Sequence, residues 1–209
     1  MTKFITTLIV GLAACLSQSA TAQYTAKERF IGTPFDILPT ISTTTRLDMI
    51  DYFESGSDRP SQSFFRDPVR ITSLTPFELT VQTSGASRAT FCVPDTTAGY
   101  TVVIETVSLP QPDSRVYLYD NDWKLIDKKD AGLLAEWITP GGKKLKKQPD
   151  IENSYEFVTA EAVFDHDAST IVFTPTLQPA DSTEPDAAKQ FILPSRTFII
   201  TSKGLKEKK

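Results

Sequence analysis

A series of short period-two segments between residues 68 and 127, each closed by a turn, does most to limit what this chain can fold into. Phe77, Leu79 and Val81 alternate with Glu78, Thr80 and Gln82, the pattern of a strand with one buried and one wet face. Further strands are predicted at 88–93, 100–109, 115–120 and 123–127. Ser84-Gly85, Asp95 to Gly99, Pro110-Gln111-Pro112 and Asp120-Asn121-Asp122 stand between them, all residue types that favour turns. Connections this short leave no room for a crossover helix, so the strands must follow one another as an antiparallel meander. The 100–109 segment is apolar on both faces over much of its length, which predicts a central strand covered by a helix on one side.

The flanking segments have other periods. In Thr43 to Glu54, Leu47, Ile50 and Phe53 recur at helical spacing, with Thr45 and Asp48 as a predicted capping pair and Gly56 as the stop. Asp48 and Asp51 share the opposite face and read as solvated carboxylates. A short helix is predicted over Ala131–Ile138 and another near Glu184–Ile192. Tyr155–Phe164 and Thr170–Thr176 form a predicted hairpin, and Arg196–Thr201 a closing strand. Residues 23 to 33 read as a lead-in without structure. Segregated strands and helices argue for an α+β fold, an antiparallel meander sheet packed by a few short helices. The expected organisation is a signal peptide at 1–22, one domain at 23–203 with a sub-lobe break near 130–150 as an alternative, and a disordered tail at 204–209.

The first 22 residues supply the expectation of export. A basic start at Lys3, an apolar run from Phe4 to Leu16 and a small polar segment ending Ala20-Thr21-Ala22 match a secretory leader. The apolar run is shorter than the ~20 residues a bilayer span needs, so no transmembrane span is expected. Cleavage after Ala22 gives the Ser17–Ala22 segment a role. The alternative is Leu12-Ala13-Ala14-Cys15, a lipobox pattern in which Cys15 would be lipidated and the protein anchored.

Composition removes several chemistries. The 209 residues carry a formal charge of −4, so no basic field invites nucleic acid. If Cys15 leaves with the leader, one cysteine, Cys92, and one histidine, His166, cannot build a His/Cys zinc site within one chain. Cys92, in the predicted strand Arg88–Val93, reads as a buried thiol. His166 falls in the predicted hairpin turn, and no Gly-x-Ser-x-Gly elbow accompanies it. The basic cluster at 143–147 reads as a solvated loop. Asp120-Asn121-Asp122 lacks the remainder of a calcium loop and reads as a tight turn. No cofactor is expected.

Two motifs carry a resemblance. Arg46-Leu47-Asp48-Met49-Ile50-Asp51-Tyr52, after a lead-in with Pro34, Leu38 and Pro39, resembles the Asn-Arg-x-Asp-x-Ile-Asp-Phe pattern of domain-of-unknown-function family 3256, a family of secreted Bacteroidales proteins. Asp113 to Tyr119 followed by Asp122-Trp123-Lys124 is similar to that family's second motif. Thr45 replaces the family's Asn, the 56–67 region is shorter than usual, and cysteines found in some members before Asp113 are absent. The resemblance implies export, one α+β unit and the Ala22 cut, and it brings no activity. In such bacteria exported proteins can be O-glycosylated at Asp-Ser/Thr followed by a small apolar residue or Thr, a motif that Thr96 and Ser182 match, with an ordinary turn sequence as the competing reading.

Tyr117, Tyr119 and Trp123 are the candidate ligand-binding residues, with core or cross-strand packing as the competing reading. The functional expectation is a non-enzymatic exported module that binds a protein or glycan of the cell envelope. The rivals are a hydrolase working through paired carboxylates and a structural lipoprotein anchored through Cys15.

Overall fold

The structure, a computed structural model, describes residues 24–97, 99–144, 154–180 and 188–208. Two helices come first, α1 (Ala26–Ile31) and α2 (Thr43–Glu54). Seven strands follow: β1 (Ser61–Gln62), β2 (Pro68–Leu74), β3 (Glu78–Gln82), β4 (Ser87–Cys92), β5 (Tyr100–Val107), β6 (Asp113–Asp120) and β7 (Leu125–Lys129). Two one-turn helices, α3 (Leu134–Trp137) and α4 (Pro140–Lys144), lead to β8 (Tyr155–Asp165) and β9 (Thr170–Pro179). A 3-10 turn at Lys189–Phe191 precedes β10 (Arg196–Thr201) and β11 (Gly204–Glu207).

The meander is present as expected. The first sheet runs in chain order from β1 to β7, every neighbour antiparallel, and a second antiparallel sheet has the order β11-β10-β9-β8. The first sheet is the middle layer of three. One face carries Val69, Leu79, Val81, Phe91 and Val103 into a core closed by α1 and α2. The other carries Cys92, Val102, Ile104, Val116 and Leu118 into a core shared with the second sheet. Burial on both faces explains the continuous apolar run in β5, with a sheet on the side opposite the helices.

β8 is the edge strand of its sheet, and its exposed backbone donors are a standing invitation to mispairing. Side chains at the start of β6 close part of that edge. The Ala162 N–H donates to Ser114 Oγ at 3.0 Å, and Ser114 in turn bonds Thr106 at 2.9 Å.

Helix ends differ from expectation in instructive ways. Residues 24–33 are structured: Thr25 and Glu28 form a reciprocal capping box for α1, with Thr25 Oγ1 accepting at 3.2 Å and Glu28 Oε2 accepting at 2.8 Å. The cap of α2 is Ser42, whose Oγ accepts from the Thr45 N–H at 3.1 Å, and not Thr45 with Asp48. Gly56 follows the helix at φ 69°, the left-handed stop that glycine adopts without strain. The buried face of α2 is Arg46, Met49 and Ile50, while Leu47 and Phe53 remain 46% and 36% exposed. Arg46 takes the inward place because its guanidinium closes the end of α1, donating to the carbonyls of Phe30 and Ile31 at 2.9 Å and of Thr33 at 2.6 Å.

The predicted helix at Ala131–Ile138 shrinks to the single turn of α3. Of the predicted Glu184–Ile192 helix only the 3-10 turn lies within the described residues. The expected disordered tail at 204–209 is corrected through residue 207. Leu205 is buried and anchors β11 against β10, and its N–H donates to Asp127 at 2.8 Å.

Arg196 fastens this end of the molecule. It bonds both oxygens of Glu207 at 2.7 and 3.1 Å and Glu136 at 2.9 Å. Those hydrogen bonds hold the Glu207 carboxyl below its ordinary pKa, against the opposing effect of burial. A depressed carboxylate stabilises the fold above its ordinary pKa and loses that contribution as pH falls through the depressed value. Glu207→Gln should therefore lower the melting temperature at pH 7. The deficit should shrink as pH falls below ~4, measured by thermal melts across pH.

Candidate functional site

α1 packs against β3 and β4, and α2 against β1 and β2. The β5–β7 end of the same sheet face carries no helix among the described residues. Register fixes what stands there. Glu105 is opposite Arg115, Val103 opposite Tyr117 and then Lys128, and Thr101 opposite Tyr119 and then Leu125. Side chains alternate across a strand, so Glu105, Arg115, Tyr117, Tyr119 and Lys128 share this face.

The three aromatics singled out in the sequence meet here. The Tyr117 and Tyr119 rings lie 6.2 Å apart and near parallel, and Trp123 tilts against Tyr119 at 5.7 Å. They are not equivalent. Tyr119 is buried, and burial, reinforced by Glu105 and Tyr117, pushes its hydroxyl pKa up to about 12. Trp123 sits at φ 62° in the turn after β6 and has the Arg29 guanidinium 4.0 Å over its ring, a cation–π contact. Tyr117 is half-buried at the open margin.

The Asp120–Lys124 turn that positions Trp123 is closed by its own groups. Asp120 Oδ1 accepts from the Asp122 and Lys124 N–H groups at 3.0 and 2.8 Å. Arg29 reaches across from α1 to the Asp120 and Asn121 carbonyls at 2.9 and 3.0 Å and to the Thr101 hydroxyl. Oxygens that a cation would need already bond a guanidinium and backbone donors.

Polar groups surround Tyr117. Burial first, then the Glu105 charge, raises the pKa of its hydroxyl, and the Arg115 charge opposes the rise. Partial burial raises the Glu105 pKa, and the Tyr117 hydrogen bond and the Arg115 charge oppose that rise. Arg115, Tyr117, Lys128, Lys129 and Asp130 line a hollow of 280 Å³ beside the end of β7. A second hollow of 340 Å³ lies between α2 and β2, but its Tyr52 ring is already engaged by Arg59 at 5.7 Å.

The carboxylate pair of the hydrolase reading gains no support from the groups whose pKa is raised. Glu78 is raised by burial, as Glu105 is. Yet Glu78 stands opposite Cys92, on the face turned to the second sheet, whereas Glu105 stands on the helix-side face. The sheet separates them.

Other sequence candidates fall elsewhere. Cys92 is fully buried, and burial, then Glu78, raises its thiol pKa well above the ordinary value, as fits an inert core thiol. His166 is in the β8–β9 turn but is half-buried, not exposed, because its ring stacks on Phe77 at 3.8 Å. Thr96 is half-buried in a turn where Asp95 Oδ1 accepts from Thr97 at 2.8 Å. Asp48 and Asp51 are exposed on α2. Cys15, Ser182, the leader and the 145–147 part of the basic cluster lie outside the described residues. Among the described residues no cluster of three or more His, Cys, Asp or Glu could hold a metal, and no helix is long and apolar enough to cross a membrane.

Sequence reasoning missed Arg29, Glu105, Arg115 and Lys128. Alternation along β5 and β6 puts Glu105 and Arg115 on the face of Tyr117, so that part was readable. The placement of Arg29 depends on contacts 72 to 92 residues away.

A solved structure described as a domain of an uncharacterized protein from Porphyromonas gingivalis W83 is similar in fold. It superposes with a TM-score of 0.61 at 15% identity, over 88% of this chain and 98% of that one. No curated protein matches the chain. The family model described as "Protein of unknown function (DUF3256)" matches residues 17–202, and the chain belongs to that family.

Proposed function

We propose that this protein is an exported, non-enzymatic module of the cell envelope that binds a glycan on the open β5–β7 face, with Tyr117 as the contact ring. One observation carries the reading: α1 and α2 pack mainly on β1–β4, and beyond the reach of Arg29 an aromatic ring stands bordered by donors and acceptors on a rigid sheet. Flat aromatic rings suit the apolar faces of sugars, and flanking polar groups fix orientation. Rigid strands hold such a site more exactly than loops do. The export part of the proposal is supported by the leader pattern of residues 1–22 and the family resemblance.

The test is co-sedimentation with the envelope polysaccharide fraction of the source organism. Tyr117→Ala should weaken binding about 10-fold, equivalent to ~1.4 kcal/mol. Val163→Ala, on the outer face of the second sheet, should leave it unchanged. Equal binding by the protein and by Tyr117→Ala contradicts the assignment.

A further inference from the structure

We infer that the hollow beside Tyr117 is a subsite for the acidic group of the glycan, a carboxylate or a phosphate, gripped by Arg115 and Lys128. The inference rests on the open face being the ligand surface and adds the charge class of the ligand. Arg115 and Lys128 are exposed and flank Tyr117 on one face. Lys129, at the strand's end, adds a third cation to the lining. Its ammonium already approaches Asp127 at 3.6 Å, whereas Lys128 makes no ion pair among the described residues. The hollow's one anionic lining residue is Asp130.

The arrangement favours an acidic sugar over other anions. Arg115 is exposed and stands two residues from Tyr117 on β6, so a planar anion can meet the guanidinium while the attached ring lies on Tyr117. Glu105 on the same face can accept hydrogen bonds from sugar hydroxyls. A peptide adding as a strand would need the free edge of β7. β11 packs beside that strand, its Leu205 N–H donating to the Asp127 carboxylate at 2.8 Å, and crowds an incoming strand there.

Calorimetric titration of the full protein with a galacturonate oligomer, an uncharged galactose oligomer, inorganic phosphate and poly-glutamate tests this. The galacturonate oligomer should bind at least 10-fold more tightly than the neutral one, and added salt should weaken it. Lys128→Gln and Arg115→Gln should each cost the acidic oligomer about 5-fold more than they cost the neutral one. Thermal melts of both variants should match the parent, since both side chains are exposed.

Inorganic phosphate that binds where galacturonate does not, with loss in Lys128→Gln, supports the subsite and makes its source a phosphorylated sugar. Equal affinity for the two oligomers, both lost in Tyr117→Ala, overturns the acidic subsite and leaves the glycan face standing. Poly-glutamate binding as tightly as galacturonate overturns the sugar assignment. Binding of no oligomer, or binding indifferent to Tyr117, overturns both.

Discussion

Arg46→Met should lower the stability of this protein by about 3–5 kcal/mol, the cost of removing one member of a buried polar network. At its size that is a fall of about 10 °C in melting temperature. Arg46 is only 3% exposed, and it donates to three backbone carbonyls at the end of α1. Those carbonyls have no further helix turn to satisfy them, and the partial negative charge of the helix end favours a cation there. Burial lowers the Arg46 pKa, and a guanidinium keeps its proton in proteins. Methionine would fill much of the space and remove this donor from all three carbonyls, of which that of Phe30 keeps the Thr33 N–H at 3.4 Å. Arg46→Lys should fall between, because one ammonium cannot reproduce the guanidinium fork. The effect should extend to the open β5–β7 face. α1 also carries Arg29, which holds the Trp123 turn, so the variant should lose its tryptophan fluorescence signature before the second sheet melts.

Trp137→Ala should cost a similar 3–5 kcal/mol, by cavity formation in a packed core. Trp137 is fully buried, and its indole N–H donates to the Ala131 carbonyl at 2.7 Å. Its own carbonyl accepts from the Leu193 N–H at 2.7 Å, and the Arg196 guanidinium lies 5.4 Å from the ring. The residue thus joins the segment after β7 to the strand pair β10–β11. Trp137→Phe separates the two contributions. It keeps most of the apolar volume and orphans the Ala131 carbonyl, for an expected loss of about 1–2 kcal/mol. Denaturant unfolding of the two variants checks the order.

The meander was legible because its evidence is local. Period two, short turns and the doubly apolar β5 all lie within single segments, and they specify neighbour pairing without distant information. α1 was equally legible: Thr25-Ala26-Lys27-Glu28 carries the capping-box spacing, yet the segment reads as a lead-in when only apolar periodicity is weighed. β11 was hidden by its charge. A single buried residue, Leu205, is enough to pin a short edge strand when Asp127 supplies an acceptor. Arg46 was misread because amphipathic analysis places apolar side chains inward. The inward group here is a cation serving another helix's carbonyls 13 to 16 residues earlier. At the candidate site the aromatic trio was visible in the sequence. Which of the three stays open was not, since Arg29 approaches Trp123 from the far end of the fold.

Amide chemical-shift mapping tests the central claim most directly. Titrating the isotopically labelled protein with oligosaccharides from the source organism's envelope should shift the backbone signals of Glu105, Arg115, Tyr117 and Lys128 together. Signals on the outer face of the second sheet, at Val163 and Ile199, should stay in place. Shifts confined to that outer face, or to the exposed Phe64-Phe65 turn, would contradict the account.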